Sequence, residues 1–388
     1  MIMNKKSSLS LSTNAIVVII LAIVMLSLAL GFIGTMFRKT SAQVEAIVAN
    51  EPNPRSAGPG EQLTLSRNTI VLSASEKTAL KFSVYKGGSV SDPDLIGYWS
   101  FDEVTGQTVS DYSSYNNAGT LGADSAVAGD DPAPQSGVNC KAGNCLEFDG
   151  GDIVTVPNDP AVISPASITL LAWAKPDTIL GGRDNIVGKV NGANREYELQ
   201  NNAGVIEGQI YFVGASLVPI IASGFSVGVW THVALTFDDD DSSNMATVYK
   251  DGTPIGPNAI KGPQPANRQN NQPTPLLFGN IYSGTEFWDG TIDEILMYKR
   301  ALTAQEVKNI ANGNLIRVNK GCIADSSTDN THPLKILSQV AKPVENGQAV
   351  QSELVLQADT TSGVDAVCQI CAEPYAGGGC VDVRLIIK

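Results

Sequence analysis

Oxygen-bearing side chains crowd three short stretches of this chain, and each suits a different chemistry. Residues 111–119 read DYSSYNNAG, placing the Asp111 carboxylate and the Asn116 amide in one Gly-ended loop. Hard calcium ions take six to eight such oxygens, and the same loop equally suits an Asx-turn in which Asp111 ties down its own backbone. Asp238 to Asp241 are four adjacent carboxylates ahead of an Asp251-Gly252 turn. They read as a solvated hairpin loop, with a second calcium as the alternative. Asp149 and Asp152 flank Gly150-Gly151 and resemble a glycosidase pair in composition. Such pairs line a cleft on strands, whereas these two sit in a glycine turn. The two histidines, His232 and His332, lie in no pattern of nucleophile and base. No phosphate-binding glycine loop or dinucleotide fingerprint is present. The expectation is a binding protein and not an enzyme, with no catalytic residues and no catalytic cofactor.

Six cysteines form an even set. Cys140 and Cys145 are close enough in a loop for a local disulfide. Cys322, Cys368, Cys371 and Cys380 allow three pairings. Cys371–Cys380 across the Gly377–Gly379 turn, with Cys322–Cys368 as the longer closure, is the preferred set. A four-cysteine zinc site is the rival, since Cys368 and Cys371 have ligand spacing.

The elements that position these residues differ sharply along the chain. Residues 15–37 are almost wholly apolar and carry no charge. As a helix they span about 34 Å, enough for a bilayer core and longer than the apolar stretch of a secretory peptide. The expectation is a single-pass membrane anchor, with residues 1–50 as leader and helix and 51–60 as linker. The C-terminal bulk then lies outside the cell, where disulfides persist. The net charge is −13, and Lys5, Lys6, Arg38 and Lys39 all precede the first acidic residue, Glu45, so the remainder is more acidic still. That surface repels nucleic acid, and no nucleic-acid partner is expected.

Beyond residue 60, strand formers dominate. Leu80, Phe82 and Val84 alternate with polar positions, as do Val381, Val383, Leu385 and Ile387. Neither terminal piece has enough strands to bury a sheet face alone. Together, residues 61–90 and 316–388 give about seven strands, which fits an immunoglobulin-like sandwich split by an insertion. A tandem without a shared host domain is the alternative. Within the insertion, Thr303 and Glu306 form a capping box, and Val307, Ile310 and Ala311 make one apolar helical face.

Five motifs order the inserted segment: GYWSFDE at 97–103, LEFDG at 146–150, ITLLAWAKP at 168–176, VWTHVALTF at 229–237 and GTIDEILMYKRAL at 290–302. This series resembles the laminin-G-like, concanavalin A-like family of extracellular binding domains, over residues 95–313. The resemblance implies a mainly β protein with a jelly roll whose first and last strands are neighbours. That would bring Asp293 toward the 111–119 loop as a third calcium ligand beside Asp111 and Asn116, calcium being structural. His232 falls in a motif the family carries without hydrolytic activity. Trp99, Trp173, Trp230 and Trp288 occupy framework positions, which implies core packing. Tyr112, Tyr115 and Tyr282 are the loop aromatics expected to touch a ligand, a glycan or a surface protein. The basic leader and apolar helix also resemble archaeal type IV pilin-like N-termini, in which the leader is removed and the helix stays in the membrane or packs into a filament. The carboxylate typical of assembling pilins is absent here. The implied function is an adhesin-like surface protein, with a pilin-like or envelope subunit self-assembling through the helix as the alternative, and a glycoside hydrolase a distant third.

Overall fold

A computed structural model describes residues 22, 25, 48–58, 61–85, 92–102, 106–159, 165–179, 181–191, 194–212, 218–222, 224–239, 246–255, 274–281, 286–313, 316–318, 334–339, 349–358, 364–372 and 380–388. The chain divides into two units, Met1–Glu51 and Pro52–Lys388. In the first, the expected anchor lies outside the described residues except for Ala22 and Met25, both helical. Among the described residues no helix is long and apolar enough to cross a membrane.

The second unit is built almost wholly of strands. In chain order they begin with β1 (Leu63–Leu65), β2 (Thr69–Leu72), β3 (Lys77–Tyr85), β4 (Leu95–Trp99), β5 (Thr108–Val109), β6 (Gly119–Leu121), β7 (Ala133–Ser136) and β8 (Asn144–Asp149). Next come β9 (Val154–Val156), β10 (Ile168–Pro176), β11 (Arg183–Asn191), β12 (Asn194–Asn202), β13 (Val205–Ile210), β14 (Val218–Ala222), β15 (Thr231–Phe237) and β16 (Ala246–Lys250). The series ends with β17 (Thr253–Pro254), β18 (Leu276–Phe278), β19 (Asp289–Tyr298), helix α1 (Ala304–Ala311), β20 (Ile316–Val318), β21 (Leu334–Gln339), β22 (Ala349–Ala358), β23 (Val364–Ala372) and β24 (Cys380–Ile387).

The terminal pieces share sheets. One sheet runs β1-β3-β22-β21 and the other β2-β24-β23-β20. Alternation explains the pairing. Leu80, Phe82 and Val84 of β3 and Val383, Leu385 and Ile387 of β24 turn inward, while Asp382 and Arg384 stay exposed. The inward sets meet in one core with Leu354, Leu356 and Ile370. β20 is a strand the alternation did not reveal, because three residues are too few to show a period.

Everything from β4 to β19 lies in two other sheets. The first runs β17-β16-β15-β10-β19-β8-β7, with β4 also on β19. The second runs β14-β13-β12-β11-β18-β9-β6-β5. Their facing sides enclose a single apolar core containing Trp99, Phe148, Leu170, Leu199, Phe237 and Trp288. The first and last strands are adjacent, with Trp99 opposite Ile295. Helix α1 seals the other face of the first sheet, where Val307 and Ile310 pack with Tyr98, Tyr249 and Leu296. Its capping box forms as the sequence implies: Glu306 N donates to Thr303 Oγ1 and Thr303 N to Glu306 Oε2.

Candidate functional site

Asp111 and Asp293, two of the three residues expected to bind metal, are buried and hydrogen-bonded within the chain. Asp111 is buried, and both its oxygens are occupied. Oδ1 accepts from Tyr98 N and Ser113 N at 2.8 Å each, and Oδ2 from Ser113 Oγ and Asn117 N at 2.7 Å each. Those donors present their positive ends to the carboxylate, which does not suit a cation. Asn116 is exposed and supplies the left-handed residue of the turn (φ 56°). Asp293 is fully buried and its Oδ2 accepts from Lys141 N and Ala142 N instead of facing the Asp111 loop. The two carboxylates thus serve different donor sets. Among the described residues no three His, Cys, Asp or Glu side chains gather around a metal position. The two carboxylates are spent on donors of the chain itself, Asp293 on backbone N–H groups and Asp111 on three backbone N–H groups and a hydroxyl.

Tyr112 and Tyr115 are half-buried. Tyr112 packs beside Tyr98, with ring centroids 6.0 Å apart, and Tyr115 donates to Pro93 O and accepts from Lys299 Nζ. Tyr282 lies outside the described residues. Cys140 and Cys145 form a disulfide. Cys371 and Cys380 stand opposite each other in the β23–β24 ladder and Cys368 stands opposite Val383. Cys322 lies outside the described residues. Asp149 and Asp152 close their own glycine turn, Asp149 N donating to Asp152 Oδ2 at 2.8 Å. Asp238 accepts from Ser167 Oγ. His232 is buried against Trp173, and burial pushes its imidazole down to about 3, so it stays neutral. His332 lies outside the described residues.

The framework role of the tryptophans holds for two of four. Trp99 and Trp288 are core residues, whereas Trp173 and Trp230 are only half-buried. Lys141 Nζ lies 3.6 Å from the Trp173 ring centroid and Lys175 Nζ lies 5.4 Å from that of Trp230. A strand places successive side chains on opposite faces, so Trp173 points away from its inward neighbours Ala172 and Ala174.

The chemistry sits elsewhere, on the buried face of β11–β13 that is turned away from the apolar core. Ala203 and Gly204, both with positive φ, make the tight β12–β13 hairpin that fixes its register. Glu198 then faces Gln209, and Gln200 faces Glu207. Tyr197, Leu199, Ile206 and Ile210 turn into the core, so Glu196, Glu198, Gln200, Glu207 and Gln209 share the opposite face. From β11, Asn185 stands opposite Gln200 and Gly188 opposite Glu198. A side chain at Gly188 would crowd them, since its Cβ would lie 2.8 Å from Asn185 Oδ1 and 3.0 Å from Glu198 Cβ.

These groups are buried yet unequally satisfied. Glu207 is saturated: Oε1 accepts from Gln200 Nε2 (2.9 Å) and from Gln209 Nε2, and Oε2 from Asn202 Nδ2 (2.7 Å), with Arg183 Nη2 at 3.5 Å. Glu198 Oε1 accepts from the Tyr211 hydroxyl, with Arg195 Nη1 at 3.8 Å. Glu198 Oε2, Gln200 Oε1 and Asn185 Oδ1 have no hydrogen-bond partner among the described residues, although all three side chains are 0% exposed. Burial pushes the Glu198 carboxyl up to about 7 against the opposing pull of Tyr211 and Arg195. Around this floor the side chains of Arg183, Arg195 and Glu286 keep 32%, 22% and 17% of their exposure. The signal was present in the sequence: EYELQN at 196–201 and EGQI at 207–210 put polar residues on every second position. The alternation alone does not mark a site, because strand polarity ordinarily marks a solvated face.

Residues 148–308 match the family described as the concanavalin A-like lectin/glucanases superfamily, and are a laminin-G-like jelly roll that contains the whole polar floor. No curated protein matches the chain. Among solved structures, domain 4 of AbnA, a GH43 extracellular arabinanase from Geobacillus stearothermophilus in complex with arabinotriose, is 18% identical with a TM-score of 0.41, covering 56% of this chain and 98% of that domain. Trypanosoma rangeli sialidase in complex with sialic acid is 19% identical with a TM-score of 0.42, covering 58% of this chain but only 34% of the sialidase. The binding domain of Paraclostridial Mosquitocidal Protein 1 is 14% identical with a TM-score of 0.43, covering 73% of this chain and 76% of that one.

Proposed function

We propose that this chain is a non-catalytic, adhesin-like surface protein. Its jelly roll binds a glycan at the polar face of β11–β13, without calcium. The carrying observation is the set of three unpartnered acceptors, Asn185 Oδ1, Glu198 Oε2 and Gln200 Oε1, on one buried face. Leaving a buried polar group unsatisfied costs about 1–3 kcal/mol each. Apolar residues of similar size would avoid that cost, so the arrangement serves something other than folding. Sugar hydroxyls are donors spread around a ring and answer acceptors spaced along neighbouring strands. Residues 15–37 hold the protein in a membrane with the jelly roll outside, a part of the proposal that rests on the sequence alone.

A glycan array probed with the detergent-solubilised full chain tests this reading, run with and without a calcium chelator. Binding that survives chelation and is lost in Gln200→Ala supports it. Absence of binding to any saccharide, or binding indifferent to Gln200→Ala, overturns the assigned site.

A further inference from the structure

We infer that the β11–β13 face takes an amino sugar with a free, protonated amine. This deepens the glycan-binding reading and rests on it. The first argument is the sign of what is missing. The unpartnered donor Trp288 Nε1 belongs to a side chain of the apolar core, while the unpartnered polar side-chain atoms of this floor and rim are acceptors: Asn185 Oδ1, Glu198 Oε2, Gln200 Oε1 and Glu286 Oε2. The donors there are already used. Arg195 reaches Tyr211, Glu198 and Glu286, Gln200 Nε2 and Gln209 Nε2 reach Glu207, and Asn185 Nδ2 donates to Asn280 O at 3.0 Å. A ligand must therefore arrive with donors and needs few acceptors. An ammonium carries three donors and none of the other kind.

The second argument is charge. Four carboxylates, Glu196, Glu198, Glu207 and Glu286, stand at this floor and rim against three cations, Lys189, Arg183 and Arg195, with Lys189 paired to Glu196 at 2.5 Å. Glu207 is committed to four partners, whereas Glu198 keeps one oxygen open. Its carboxyl, faced by Tyr211, Arg195, Gln209, Glu286 and Arg183, is held near neutrality by burial. A bound cation would stabilise its ionised form and replace the missing partner. A lysine side chain offers the same charge at a single point. Gln200 stands two residues further along its strand, about 7 Å from Glu198, with Asn185 opposite it. A sugar ring bearing both an amine and hydroxyls spans that interval, which a lone ammonium does not.

The probes are a glucosamine tetrasaccharide with free amines, the same tetrasaccharide N-acetylated, a neutral glucose tetrasaccharide and a lysine oligopeptide. All are titrated calorimetrically against the full chain. The expected result is at least tenfold tighter binding of the free-amine sugar than of its acetylated form, with the difference shrinking as salt is raised. Glu198→Gln, which keeps the shape, should bring the two within about twofold while leaving the circular dichroism unchanged and the melting temperature no lower than that of the parent. Equal or tighter binding of the acetylated or neutral sugar overturns the amine inference and leaves the glycan reading standing. Binding of the lysine peptide alone overturns both. Binding of no probe, with no saccharide captured on the array, overturns both as well.

Discussion

Asp293 accepts the backbone N–H of Ala142 through Oδ2 at 2.9 Å, across 151 residues of sequence. The same oxygen accepts from Lys141 N at 3.0 Å. A fully buried carboxylate in the closing strand thereby holds the loop that the Cys140–Cys145 disulfide also closes. Asp293→Ala should destabilise the protein by about 3 kcal/mol, the value of charge-assisted bonds whose donors are left buried. Replacing both cysteines by alanine should cost about 2 kcal/mol, given so short a loop. Because both devices restrain one segment, the triple variant should lose less than the two losses added together. Urea denaturation of the set measures this, and strict additivity would show that the clamp and the disulfide act independently.

Calcium should leave this protein's stability unchanged. The oxygens of Asp111 are filled by donors from residues 98, 113 and 117. A cation would have to displace four hydrogen bonds to reach them. Thermal melts with added calcium and with chelator should coincide, while Asp111→Ala lowers stability by at least about 3 kcal/mol in either condition. A calcium-dependent rise in melting temperature that vanishes in Asp111→Ala would reverse this assignment.

The tryptophans should separate into two classes on substitution. Trp99, fully buried and edge-on to Phe278 at 5.0 Å, should cost about 3–5 kcal/mol when cut to alanine. Trp230→Ala should cost about 1 kcal/mol and leave saccharide binding unchanged, since Lys175 already lies over its ring. Loss of saccharide binding in Trp230→Ala, with the fold intact, would move the site to the opposite sheet.

Much of this architecture was legible in the residues, and the site largely was not. Strict alternation at 381–387 and the Thr303–Glu306 capping box each encode one local outcome, and each forms. Asp111 and Asp293 do not declare their partners in the sequence, because a carboxylate looks alike whether it awaits a cation or a backbone N–H. Only three-dimensional placement tells which donors arrive. The polar face of β12 and β13 is as ambiguous. Glu198 and Glu207 carry the same carboxylate on adjacent strands, yet one is saturated and the other keeps an open oxygen. That difference arises from the register between strands, which fixes Gln200 and not Glu198 opposite Glu207. Register is a tertiary property, and periodicity within a strand does not contain it.

The pH dependence of stability should carry the signature of Glu198. Burial raises its carboxyl from 4.5 to about 7 in the folded protein. A carboxyl raised on folding contributes stability that is fully present below its unfolded value and is lost as pH climbs through the folded one. The wild-type protein should therefore lose up to roughly 3 kcal/mol from this group between pH 5 and pH 8. Glu198→Gln has no proton to lose and should escape that loss, so the variant should gain on the parent steadily across the same interval. Denaturation midpoints for the two proteins at matched pH values give the difference directly, and common contributions from groups such as Asp152 and Asp184 cancel in it. Parallel pH profiles would mean that Glu198 titrates as an ordinary surface carboxylate. Its second oxygen would then be hydrated, and the argument that it awaits a ligand's donor would lose its footing.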